Sequence, residues 1–263
     1  MLEVFEFGDI TGAMVSRELP WNPPFSMNVF YYIVSGLLID SGPFSLADEA
    51  IVFFNTYDIK QVILTHIHED HAGMAYWLQE NKQIPIYLHP DSVEEALAEV
   101  DLPSYRLDIW GKRQAFKALP APDKIKAGSH VFNLIDSPGH CRNHLVLYEK
   151  SKGWLFSGDL LNSLRPKIVY CEENLSEMII SMSKLLKLDF STVFCPHTGI
   201  HTDGREKFTQ KLNYLLNLQD KINRLRAAGL SDNEIDRQLF PGPSLFSELT
   251  EGDIASYHII KTL

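Results

Sequence analysis

Cysteine is scarce in this chain: Cys141, Cys171 and Cys195 are the only three in 263 residues. Three thiols cannot build a disulfide framework, so a reducing cytoplasm is the expected setting. No run approaches the roughly 20 apolar residues that a membrane span needs. Met1-Leu2-Glu3-Val4-Phe5-Glu6 lacks the basic-then-apolar order of a signal peptide. Positive charge is also short, with 24 Lys and Arg against 34 Asp and Glu and a formal charge of −10. That balance gives no general electrostatic footprint for nucleic acid or an anionic membrane. Lys112, Arg113 and Lys117 form the best local basic patch, read as a solvated face. Short repeats and low-complexity segments are missing. The apolar fraction of 45% and charged fraction of 22% are ordinary for a globular chain. The length suits one large α/β domain with a sizeable core.

What the chain has is Thr65-His66-Ile67-His68-Glu69-Asp70-His71, three imidazoles and a carboxylate within six residues. Gln61-Val62-Ile63-Leu64 before it reads as a buried strand. Residues 72–81 after it read as a helix, with Met74, Trp77 and Leu78 at helical spacing. The cluster therefore belongs to a loop at a strand's C-terminal end, where open α/β sheets place their sites. In an extended segment His66 and His68 share a face, and the turn into the helix redirects Asp70 and His71. Two donors aim each way. That suits a pair of metals better than one tetrahedral ion. Hydrolytic pairs usually stand roughly 3.5–4 Å apart. A lone histidine is usually solvated or hydrogen-bonded, but three beside an aspartate read as ligands.

Along the chain, residues 1–40 read as two or three strands: one over Val4–Phe7, then a hairpin of Met27–Val34 with Gly36–Asp40. Pro20, Pro23 and Pro24 forbid regular structure between them. A helix follows over 46–57, then the ligand loop and its helix, a strand over Ile84–Leu88, and a helix opened by Asp91. Residues 101–124 lack a clean period and read as an insertion with short helical pieces. Strands return over His130–Ile135, Leu145–Glu149, Trp154–Phe156 and Thr192–Phe194, with a helix over Leu175–Leu188. From Gly204 the spacing of Phe208, Leu212, Leu215 and Ile222 predicts helices, giving a domain over 1–203 and a helical extension over 204–263 packed on it. Three further strand-end loops each offer a donor: His140 after Pro138-Gly139, Asp159 after Gly158, and His197 after Pro196.

The HxHxDH run, then Ser-Pro-Gly-His, Ser-Gly-Asp and Pro-His-Thr-Gly in this order, resemble the metallo-β-lactamase fold superfamily over roughly residues 25–200. The resemblance implies an α/β (α+β) chain folded as an αββα sandwich, with a dinuclear site between two sheets. It implies that His66, His68 and His140 hold one metal, that Asp70, His71 and His197 hold the other, and that Asp159 bridges both. Asp40 matches the family's first motif as a support behind the ligands. His144 matches a structural histidine, and His89 and His201 read as structural or surface residues. Leu160-Leu161-Asn162-Ser163-Leu164 stands where glyoxalase II enzymes usually carry an arginine motif with glycine and cysteine. Asn162 lies near the place of a tyrosine in homoserine-lactone lactonases.

The implied activity is a zinc-dependent hydrolase with two Zn²⁺ per chain, Fe or Mn being alternatives. A metal-bridging hydroxide would act on a small ester, lactone or thioester. The alternative is a phosphodiesterase or nuclease with the same site. The expected catalytic residues are Asp70, to orient water or take a proton, with Asn162 and Tyr170 facing the developing oxyanion. Cys141 reads as a bystander thiol. Trp21, Phe25, Tyr105 and Trp110 lie in segments, 19–27 and 101–124, that would rim the pocket as a lid. The expected partner is a small molecule, with no membrane and nucleic acid disfavoured; a homodimer is left open. Structural zinc sites favour cysteine, so a His/Asp donor set points to an open catalytic site.

Overall fold

Alternate residues of the strand Phe25–Val34 face two different apolar layers. Met27, Val29, Tyr31 and Ile33 enter one cluster, and Tyr32 and Val34 another. A strand covered on both faces needs apolar residues at successive positions, which is why this run looked so uniformly hydrophobic. The computed structural model describes residues 1–19, 25–242 and 245–263. Trp21 and the side chain of Phe25, expected at the pocket rim, lie outside what is described.

The first sheet contains β1 (Leu2–Phe7), β2 (Ile10–Leu19), β3 (Phe25–Val34), β4 (Leu37–Ile39), β5 (Gln61–Ile63), β6 (Ile86–Leu88) and β7 (Leu119–Pro120), paired in that order. Pairing is antiparallel from β1 to β4 and parallel from β4 to β7. The second sheet uses β8 (Lys124–Ala127), β9 (His130–Asp136), β10 (Leu145–Glu149), β11 (Trp154–Phe156), β13 (Thr192–Cys195) and β14 (Gly199–His201). A third, small ladder joins β12 (Val169–Tyr170) to β15 (Ile254–Ala255).

The inner faces of the two large sheets meet through Ile10, Tyr32, Ile39, Ile63, Phe132, Leu147, Phe156 and Phe194. Helices Ala47–Thr56 and Ala75–Lys82 cover the outer face of the first sheet through Phe54, Ala75 and Leu78. Helices Leu175–Leu185 and Gly204–Ala227 cover the second through Met178, Met182, Phe208 and Leu215. Three apolar seams between four layers make an αββα sandwich.

The structure departs from the sequence reading in places. The first sheet holds β2, and the helix expected over 72–81 divides into Glu69–Ala72 and Ala75–Lys82. Gly73 sits at the break, where a Cβ would lie 2.6 Å from the Phe44 backbone nitrogen. Residues 101–124 supply the helix Ser104–Trp110 and the edge strand β7. From Gly204 the described residues form the helices Gly204–Ala227, Asp232–Leu239, Leu245–Leu249 and Tyr257–Thr262, and β15 reaches back to β12. Arg113, placed on a solvated face by the sequence, is only 2% exposed because its guanidinium donates to backbone carbonyls, Ala98 O at 3.2 Å among them. Among the described residues no helix is long and apolar enough to cross a membrane.

Candidate metal centre

The chain stays extended to His68 (φ −58°, ψ 152°) and then enters the short helix Glu69–Ala72. His66 and His68 therefore project on one side, while the helical turn carries Asp70 and His71 to another. Glu69 and Asp70 open that helix, where acidic side chains suit the dipole. The Leu145 N–H donates to Thr65 O at 2.8 Å, tying this loop to the second sheet. Two glycines let the other donors approach. Gly139 (φ +142°) lies where a Cβ would come within 2.5 Å of Met178, and Gly158 (φ +46°) where it would come within 2.3 Å of His144 Nε2.

The seven candidate ligands fall into two groups, His66, His68 and His140, and Asp70, His71, Asp159 and His197. Within the first, His68 Nδ1 is 3.1 Å from His66 Nε2 and 3.0 Å from His140 Nε2. Within the second, His197 Nε2 stands 3.3 Å from Asp70 Oδ2, and His71 Nε2 stands 3.6 Å from it. Asp159 reaches both groups. Its Oδ1 is 3.1 Å from His71 Nε2 and 3.4 Å from His197 Nε2, while its Oδ2 is 3.4 Å from His140 Nε2.

Behind these atoms stands a second set of contacts. Asp40 Oδ2 meets His71 Nδ1 at 2.9 Å, and its Oδ1 accepts from the Thr65 N–H at 2.7 Å. Asp40 holds φ +59°, a conformation Asp tolerates better than most residues. Glu172 Oε1 lies 3.0 Å from His68 Nε2, and Glu173 Oε1 lies 3.7 Å from His140 Nδ1. His144 meets Ser137 Oγ at 2.8 Å and accepts from the Asp159 N–H at 3.1 Å, so its ring nitrogens are engaged away from the clusters. Glu69 is fully engaged by Arg106, at 2.5 and 2.8 Å.

Charge is divided between the rings. Burial, then neighbouring His71 and His68, press His66 well below the usual imidazole range, which leaves it neutral with a free lone pair. Burial opposes charge on His71 and His197 as well, but Asp159 and Asp70 outweigh it and hold both high. Those cations in turn keep Asp70 and Asp159 ionised despite their burial. His71 Nε2 and Asp159 Oδ1 are buried and face each other at 3.1 Å, yet neither makes a hydrogen bond of good geometry among the described residues. Buried polar atoms are rarely left so, and a divalent cation between imidazole nitrogens and carboxylate oxygens would satisfy them. The donor set fits a metal.

The remaining candidates are placed as follows. The Asn162 amide donates to Asp159 Oδ2 at 2.7 Å. Tyr170 lies with its ring 6.3 Å from that of His140 and under the Arg106 guanidinium at 5.5 Å; burial, then Asp70, push its phenol up, so it stays protonated. Trp110 packs on His197 with ring centres 5.8 Å apart. Tyr105 instead hydrogen-bonds Asp253. Burial keeps the Cys141 thiol neutral. His89 bonds the Asp91 N–H, and His201 meets Thr198 and Lys207, both apart from the two groups.

Sequence reasoning passed over Glu172, Glu173, Arg106 and Lys211. The adjacent acids of Glu172-Glu173 were the available signal for the first pair. For Lys211 it was a lysine inside the Phe208–Leu212–Leu215 stripe, where it is 3% exposed.

An αββα sandwich carrying two facing His/Asp groups at its strand ends defines a metallo-hydrolase type of architecture. The profile of the metallo-beta-lactamase superfamily matches residues 27–219, and the chain belongs to that superfamily. The superfamily implies divalent metal binding. A hydroxyacylglutathione hydrolase of Legionella pneumophila (strain Corby) is 30% identical over 144 residues, 54% of this chain and 50% of that protein. The chain thus spans about half the length of the first curated relatives it matches. The probable metallo-hydrolase YqjP of Bacillus subtilis is 25% identical over 83% of this chain and 82% of its own length. In fold, a beta-lactamase domain protein from Burkholderia ambifaria superposes with a TM-score of 0.69 at 18% identity, covering 98% of this chain and 86% of that one.

Proposed function

We propose that the chain is a zinc-dependent hydrolase of a small ester, lactone or thioester. His66, His68 and His140 would hold one ion, Asp70, His71 and His197 a second, and Asp159 both. The observation that carries this reading is Asp159, one carboxylate with Oδ1 facing the His71 group and Oδ2 facing His140. Such a pair of ions supplies water of lowered pKa and polarises the oxygen that gains charge.

The chain's own residues do the rest. Asp70, kept ionised by His71 and His197, orients water and accepts a proton. The protonated Tyr170 hydroxyl is the donor for developing oxyanion charge. Asn162 acts through Asp159 by fixing its Oδ2. Trp110, against His197, excludes water from one side. Relatives named as acting on hydroxyacylglutathione support a thioester within this class.

The test is metal analysis of the purified protein with a panel of lactones, thioesters, phosphodiesters and β-lactams. Two zinc equivalents and acyl-substrate turnover are expected. Protein that binds no divalent metal, or that turns over phosphodiesters alone, refutes the reading.

A further inference from the structure

A cavity of about 230 Å³ lies beside the first group, with His68 in its wall. The same ring that turns Nδ1 toward His66 and His140 thus borders this space. We infer that the cavity is a subsite for a carboxylate carried by the substrate, recognised by Arg113 and Arg142. This deepens the hydrolase reading and rests on it.

Three guanidiniums line the cavity, but one is already engaged. Arg106 is held by Glu69 and lies 3.6 Å from Glu172, whose other neighbour is His68. Arg106 is thus engaged by two carboxylates. Arg113 differs. It is 2% exposed, its Nη2 donates to Ala98 O, and its buried Nη1 has no hydrogen-bond partner among the described residues. Arg142 is exposed and has no ion pair or hydrogen bond among the described residues. The wall also carries Glu69 and Glu172, both turned to Arg106, and Glu95, an exposed side chain, so Arg113 and Arg142 are the two cations of the wall without a carboxylate partner among the described residues.

A planar guanidinium short of a partner is matched by the two oxygens of a carboxylate. Arg142 follows the candidate ligand His140 by two residues, so one loop would carry both a metal donor and the anion's counter-charge. The Asn143 amide donates to Ser92 Oγ at 3.0 Å and holds that loop against the opposite wall.

The test compares 4-nitrophenyl hemisuccinate, which carries a carboxylate, with neutral 4-nitrophenyl acetate on the protein as purified. Arg142→Gln is expected to raise KM for the hemisuccinate about tenfold more than KM for the acetate, the loss of one charged contact. Arg142 is exposed, so this variant folds where Arg113→Gln could fail. In parallel, sodium glutarate is titrated while the arginine Nε–H resonances are followed by NMR. The Arg113 and Arg142 signals are expected to move saturably with glutarate and not with neutral glutaramide. Equal KM changes for both esters, still signals, or equal shifts with glutaramide would overturn the subsite. If neither ester is hydrolysed the hydrolase reading suffers, while the glutarate titration still decides the subsite.

Discussion

Replacing Asp40 by Asn tests the support behind the His71 group with little change of shape. Asn is isosteric and accepts the left-handed φ of +59° that Asp40 occupies. The wild-type carboxylate spends Oδ1 on the Thr65 N–H at 2.7 Å and Oδ2 on His71 Nδ1 at 2.9 Å, in a site 5% exposed. With Oδ2 accepting, His71 keeps its proton on Nδ1, so Nε2, which faces Asp159, is the nitrogen that gives up its proton when a metal binds. In Asp40→Asn the amide oxygen keeps the Thr65 N–H, so the NH₂ must face His71 Nδ1. Two donors then oppose each other, or the ring changes tautomer and loses its Nε2 lone pair. A charge-assisted buried bond of this kind contributes about 2 kcal/mol, which is about 30-fold in metal affinity. Competition with a chelating dye reads the stepwise zinc affinities. One of the two stepwise affinities should fall by that factor while the other changes little. An unchanged affinity, or equal loss at both sites, would refute the idea that Asp40 acts through His71.

Other outcomes follow from the same contacts. Gly158→Ala puts a methyl group 2.3 Å from His144 Nε2 at a positive φ, so it should cost about 1–3 kcal/mol and lower Tm and metal content together. Glu172 is held down to about 2, burial opposing and His68 and Arg106 prevailing, so its stabilisation is present above its unfolded pKa and lost as pH falls from about 4.5 toward 2. Glu172→Gln should flatten that limb of an acid-unfolding curve, and identical curves would remove the role. Lys211 is 3% exposed with no hydrogen bond or ion pair among the described residues, and burial pushes its pKa down, so Lys211→Met should raise Tm by an amount equal to about 1 kcal/mol; a fall would show that the ammonium is needed.

Much of the site was written in local signals. The candidate ligand loop shows itself because an extended stretch and a helical turn meet at His68, and each remaining candidate donor follows a Gly or Pro that marks a strand end. The inner strands were equally plain, since burial on both faces leaves continuous apolar runs such as Leu37–Ile39. The strand β2 was hidden by Gly12, Ser16, Arg17 and Glu18, which break its alternation; it is held by its full-length pairing with β3. The strands β12 and β15 are two residues each, too short for any period, and exist only through each other. Glu172, Glu173 and Arg106 meet these partners across 33 residues or more of chain, so nothing in their own neighbourhoods announces them.

The ladder between β12 and β15 has a mechanical consequence. Asp253 accepts from the Cys171 N–H at 2.8 Å, Thr262 O accepts from Ser176 Oγ at 2.5 Å, and between them the strand pair grips Tyr170. Residues 253–262 therefore act as a buttress for the segment that carries Tyr170, Glu172 and Glu173. Loosening that buttress, by a cut or an insertion near Gly252, would shift Tyr170, Glu172 and Glu173 against the candidate site from a distance, with every candidate ligand left in place.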